Sequence, residues 1–153
     1  MIQERYYNGW THDHYVTSVF CFCPDGTIPI AFFNVPGSDH NSQVAEQGKI
    51  YCKLEHVYET MGGKCCIDSA FVSIERGFFL KSGQDLLGYS APTHCKQSYE
   101  HQIRRQTMSA WQMAEWGMLS LKGPFPQLKD QFVYKERGER QIVMKMFVLL
   151  YNM

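Results

Sequence analysis

Residues 15–23, Tyr-Val-Thr-Ser-Val-Phe-Cys-Phe-Cys, constrain this chain more than any other stretch, because they are β-branched and aromatic on both alternate faces. A strand with one wet face alternates apolar with polar side chains, whereas one that fails to alternate is covered on both sides. Pro24-Asp25-Gly26 then supplies a turn and Thr27 to Val35 a second strand, which makes a hairpin. Pro29 lies inside that second strand and has no N–H for a ladder bond, so the strand belongs at a sheet edge.

Downstream, Pro36-Gly37-Ser38 breaks the pattern, and Val44, Gln47, Tyr51, Leu54, Tyr58 and Met61 follow at helical spacing. The spacing predicts an amphipathic helix of about five turns. Asp39 or Asn41 can cap its start, and Gly62 or Gly63 can end it in the left-handed conformation. Lys64 to Asp68 is a short apolar strand that ends on a carboxylate, and Ile74 to Lys81 fits either a short helix or a further strand. Leu86 to Lys96 has the character of a loop. From Ser98 to Leu121 the positions Ile103, Thr107, Ala110, Ala114, Met118 and Leu121 repeat at three and four, so a long helix is expected, closed by Gly123-Pro124. A last helix from Glu139 to Met153 is expected to bury Ile142, Val143, Met146, Phe147 and Leu150, and it runs to the final residue with no stop signal.

At 153 residues, 44% hydrophobic and 20% charged, the chain has the size and balance of one globular domain. Residues 1–95 hold 6 Lys/Arg against 10 Asp/Glu and residues 96–153 hold 9 against 5, a split that permits an anion-binding C-terminal half without demanding one. The six cysteines include no C-x-x-C, and neither Cys21-x-Cys23 nor Cys65-Cys66 has zinc spacing, so they are expected to be reduced and mostly buried. The N-terminus carries charge and no apolar core of a signal peptide, and the apolar run from Ile142 to Tyr151 is too short to span a bilayer. An intracellular chain without a membrane anchor is expected.

Taken residue by residue, the chemistry-bearing positions have ordinary explanations. An Asp after a buried strand is commonly a cap or turn residue. Glu115, between Trp111 and Met118 on the long helix, suits a boundary residue with its head in water. His12-Asp13-His14 is the tightest histidine cluster, but residues two apart on a strand only share a face, and no third ligand is identifiable.

The order of elements changes that reading. A hairpin, a helix, a strand ending in Asp68, an irregular segment and a long helix carrying Glu115 follow one another in a way that resembles an RNase H-like domain. Four phrases are more specific: Tyr6-Tyr7-Asn8-Gly9-Trp10-Thr11-His12-Asp13-His14-Tyr15, Asn34-Val35-Pro36-Gly37-Ser38-x-His40, Asp68-Ser69-Ala70-Phe71, and Ala114-Glu115-Trp116-Gly117 followed by Phe125-Pro126-x-Leu128-Lys129-Asp130. In this order they resemble the Harbinger-type DDE transposases, the DDE superfamily endonuclease domain, over nearly the whole chain.

That resemblance implies an α/β, RNase H-like fold: a mixed sheet flanked by helices. It implies a DNA phosphodiester nuclease whose acids hold divalent cations, Mg²⁺ or Mn²⁺, and a nuclear protein. Hard ions take oxygen ligands, and two ions roughly 4 Å apart can activate a nucleophile and stabilise the leaving oxygen. By motif, Asp68 corresponds to the second acid and Glu115, 47 positions on, to the third.

Three departures bear on activity. The family's first Asp lies in an Asp-Gly strand ahead of the Tyr-Asn-Gly-Trp phrase, and residues 1–153 do not include it; Asp13, Asp25 and Asp39 do not stand in its place. The Gly-Ser-x-His phrase is followed by Asn41 where the family has Asp, and Trp111 stands where it has Arg, which pairs with acids or phosphate as Trp cannot. The expectation is therefore an N-terminally incomplete domain without its first, central strand, catalytically defective. Its two flanking strands would then pair directly, or the domain would be marginally stable. An active enzyme that borrows the missing Asp from a partner chain is a second reading. A non-catalytic module derived from a transposase, binding nucleic acid or protein through the basic half, is a third. The chain has no separate helix-turn-helix, so sequence-specific DNA recognition would fall to a partner protein.

Overall fold

The computed structural model describes residues 6–9, 12–68, 70–71, 77–81, 93–128 and 136–153, without the side chains of 81, 93–100 and 127. The architecture is mixed α/β. A ribbon of β1 (Tyr7–Asn8) and β2 (Asp13–His14) leads into the predicted hairpin, β3 (Val16–Cys21) with β4 (Ile30–Pro36). Helices α1 (Asn41–Gln47) and α2 (Ile50–Met61) follow, then β5 (Cys65–Ile67), which pairs in parallel with β6 (Phe79–Lys81). Helix α3 (Thr93–Lys122), a 3₁₀ turn at Pro126–Leu128 and helix α4 (Arg137–Tyr151) complete the chain.

The hairpin turn forms as its residues dictate. Asp25 accepts hydrogen bonds from the Thr27 N–H at 2.9 Å and its hydroxyl at 2.7 Å, which also hold the Asp25 carboxyl below its usual range. Gly26 takes φ +88°. Pro29 ends up one residue before β4, where its missing N–H costs no ladder bond.

One face of β3 enters the core, and just beyond the strand the chain packs on α3. Val19 lies in a core with Val35, Val44, Ala45, Ile50 and Tyr51, while the Phe22 ring packs against α3 so closely that a Cβ on Gly117 would sit 2.6 Å from it.

Pairing in the hairpin slips by one residue between Thr17–Val35 and Val19–Phe32, so β4 carries an extra residue opposite Ser18. Asn34, at φ +67°, lies in this bulge, a conformation that Asn tolerates better than most residues.

The single helix expected over residues 44–61 is two helices. The ring of Phe32 presses within 2.6 Å of where a Gly48 side chain would begin, and Lys49 turns left-handed at φ +51°, which swings Ile50 and Tyr51 into the core. The N-cap is His40 rather than Asp39 or Asn41; the Gln43 side chain accepts from the His40 N–H at 3.2 Å. Gly62 ends α2 at φ +68°, as expected.

Later elements agree with expectation in part, the strand being one of the two alternatives open for residues 74–81. Residues 79–81 form a strand, 82–92 lie outside the described residues, and Thr93 to Lys96 begin α3 rather than a loop. Helix α4 stops at Asn152 and leaves Ile142, Met146 and Leu150 exposed, while Val143 and Phe147 alone of the expected set turn inward. Phe147 stacks on Phe125 at 4.6 Å.

Candidate active site

Among the described residues the strands make three separate two-stranded ladders, so β3 and β5 do not pair with each other. Their ends nevertheless come near each other at the cysteines. Burial, with Cys21, Cys66 and Cys23 beside it, pushes the Cys65 thiol up to about 12, and burial with Cys23 pushes Cys21 up to about 11. A thiol so held is protonated at neutral pH and a poor nucleophile. The five described cysteines are free; Cys21, Cys23, Cys65 and Cys66 are half-buried and Cys52 is exposed, less burial than the sequence suggested.

Asp68 follows β5 directly and is exposed, and its carbonyl accepts from the Phe71 N–H at 3.1 Å. The local geometry is thus a strand end turning sharply, with the carboxylate presented at the C-terminal edge of a parallel pair. Helix α3 packs against β5 and carries Glu115, also exposed. Phe22 ties these parts together, since its ring covers Gly117, two residues from Glu115, and its neighbours Cys21 and Cys23 lie beside Cys65, three residues before Asp68. The elements bearing the two predicted acids therefore adjoin, and both acids face water.

A centre for two divalent cations needs several oxygen ligands converging on a small volume. Among the described residues no group of three or more His, Cys, Asp and Glu side chains does so. Among the described residues, two exposed carboxylates on neighbouring elements fall short of that centre.

The family phrases perform structural work instead. Asn8 Nδ2 donates to the Gly37 carbonyl at 2.7 Å, and Gly37 must be glycine, because a Cβ there would lie 2.5 Å from the Tyr15 carbonyl oxygen. The Tyr-Asn-Gly-Trp and Pro-Gly-Ser phrases are thereby clasped to each other. Asn34 Nδ2 donates to the Arg137 carbonyl at 2.6 Å and its Oδ1 accepts from Arg140 Nε at 2.9 Å, while Arg140 also lies over the Tyr6 ring. None of this was evident from spacing; an Asn interrupting an apolar strand was the one available signal.

The chain matches the model of the DDE superfamily endonuclease family over residues 1–152. It belongs to that family. No curated protein and no solved structure matches it. Members of the DDE endonuclease family act on DNA and generally use divalent metals, so the family agrees with the sequence reading at this level. Among the described residues no helix is long and apolar enough to cross a membrane.

Of the remaining sequence candidates, Asn41 is the exposed first residue of α1. Trp111 is partly exposed, one turn before Glu115 on α3. The His12–His14 segment forms an exposed ribbon in which Tyr7 Oη lies 3.2 Å from His12 Nδ1. Trp10, Thr11, Ser69, Lys129 and Asp130 lie outside the described residues.

Proposed function

We propose that this DDE endonuclease domain is a Harbinger-type, RNase H-like transposase remnant that is silent towards DNA phosphodiesters as it stands. Asp68 is its second acid and Glu115 its third. The observation that carries the reading is the packing of the Glu115 helix on the strand that ends in Asp68, together with Asn41 and Trp111 in the places of the family's Asp and Arg. Two carboxylates can hold one Mg²⁺ or Mn²⁺ weakly, whereas a two-ion arrangement needs a further, bridging acid. Supercoiled plasmid incubated with the protein and Mn²⁺ tests this. No metal-dependent nicking above buffer is expected, and nicking that disappears in Asp68→Ala would restore the enzyme reading, with the first acid supplied by a partner chain.

A second reading is favoured by the outer face of α3. Arg104, Met108, Trp111 and Glu115 fall at spacings of four, three and four, so they share one stripe, and all four are exposed, with Arg105 beside them. Cations interleaved with an aromatic ring suit a nucleic-acid backbone and its bases. A non-catalytic DNA-binding module, working in the nucleus with a separate sequence-reading partner, would use this stripe. DNA affinity that falls steeply with salt and weakens in Arg104→Ala is the expected signature, and no binding at low salt would remove this reading.

A further inference from the structure

Helix α4 presents an apolar face that the rest of the described chain does not cover. Ile142, Met146 and Leu149 are 62%, 53% and 67% exposed, with Leu150 and Met153 alongside. Their spacing of four and then three is that of a helix seam that packs against another helix.

The face cannot be turned inward, because α4 is pinned near both ends. At its start, Asn34 and the Arg137 and Arg140 groups hold it to β4. At its end, Asn152 donates to the Ile28 carbonyl at 3.0 Å and accepts from the Ile28 N–H at 2.9 Å. Val143 and Phe147 already occupy the inner side. Rolling the helix to hide Ile142 would break these bonds and expose the Phe125–Phe147 pair.

We propose that this face is the contact surface for a second copy of the chain, the two α4 helices packing about a twofold axis. The stripe holds no charged residue between Ile142 and Leu150 except Lys145 at its margin, so it suits an apolar helix and not a nucleic-acid backbone. An isologous pair needs a self-complementary surface, and interdigitating Ile, Met and Leu side chains provide one. Two such faces would bury on the order of 1,000 Å², the lower bound for a specific but reversible interface. The net charge of zero at pH 7 means that two copies meet without mutual repulsion.

Sedimentation velocity and light scattering on the full chain, across roughly a hundredfold range of concentration, test this inference, with a melting temperature that rises with concentration as the linked readout. The expected result is a reversible shift in mass from monomer to dimer. The double variant Ile142→Gln/Leu149→Gln keeps good helix formers at exposed positions. It should weaken dimerisation at least tenfold with an unchanged far-UV spectrum. Wild-type protein that stays monomeric throughout, or a folded double variant that dimerises as well as wild type, overturns the proposal. If the double variant misfolds, Met146→Lys alone carries the same test.

Discussion

The hairpin with its two following helices and the acid-bearing pair of β5 and α3 are built on opposite principles. In the first, Val35, Val44, Ala45 and Ile50 are essentially sealed from solvent and Asn34 is buried with them, bonded on both sides of its amide. In the second, the two proposed acids, Asp68 and Glu115, are exposed at the end of a three-residue strand and on the open side of a long helix. Folding free energy therefore resides largely in residues without catalytic chemistry, so a domain of this kind can lose an acid from its site and still keep its shape.

The sharpest way to break that contrast is Asn34→Ala. It removes the bonds to the Arg137 carbonyl and from Arg140 Nε and places a Cβ residue without a local hydrogen bond at φ +67°. A loss of about 3 kcal/mol is expected in urea unfolding. Asn34→Gly tolerates the backbone but not the lost bonds, so it should cost about 2 kcal/mol, and the difference isolates the strain of the bulge. Equal losses in the two variants would show that the left-handed conformation is not strained at all.

How far the sequence disclosed this organisation depends on the kind of interaction. The hairpin, the Asp25 turn, the Gly62 helix end and the long Glu115 helix were legible, because each follows from the local periodicity or backbone preference of adjacent residues. The break at Gly48-Lys49 was not, since it arises from the Phe32 ring, 16 positions away in the chain, pressing on a glycine. The outward face of α4 was misread for the same reason. An apolar period says which residues share a side and not which side meets the sheet, and here Asn34 and Asn152 decide that. Asp68 and Glu115 could be picked out only through family phrases, as neither has a local pattern that separates it from a turn residue or a solvated helix position.

Alkaline pH tests the contrast at the junction of the two regions. The thiols of Cys21 and Cys65 ordinarily ionise near 9.0 but are pushed up to about 11 and about 12 by burial and by neighbouring cysteines. Above pH 9 the unfolded chain releases these protons while the folded chain retains them. Stability is thus complete below pH 9 and declines as pH rises towards 11–12, by about 3 kcal/mol at pH 10. Thermal melts should show this slope, and Cys21→Ala/Cys65→Ala should flatten it. By contrast, Asp68→Ala and Glu115→Ala should each move the melting temperature by no more than about 2 °C, as expected for exposed side chains. A larger drop for either acid would mean that the candidate site also supports the fold.

The smallest effect should have the opposite sign. Lys49 sits at φ +51° between α1 and α2, in a left-handed conformation that a residue with a Cβ adopts at a cost, while its side chain is exposed. Its backbone carbonyl accepts from the Lys53 N–H at 3.2 Å, so the geometry is needed to start α2. Lys49→Gly would remove the steric penalty at this position but give the unfolded chain more freedom. The net expectation is a gain of about 0.5 kcal/mol in urea unfolding, with the denaturant slope unchanged. The gain would locate strain inside the better-packed region, at the bend that delivers Ile50 and Tyr51 to the core. A loss instead would mean that the Lys49 side chain holds the bend, and that the region's stability reaches its surface as well as its interior.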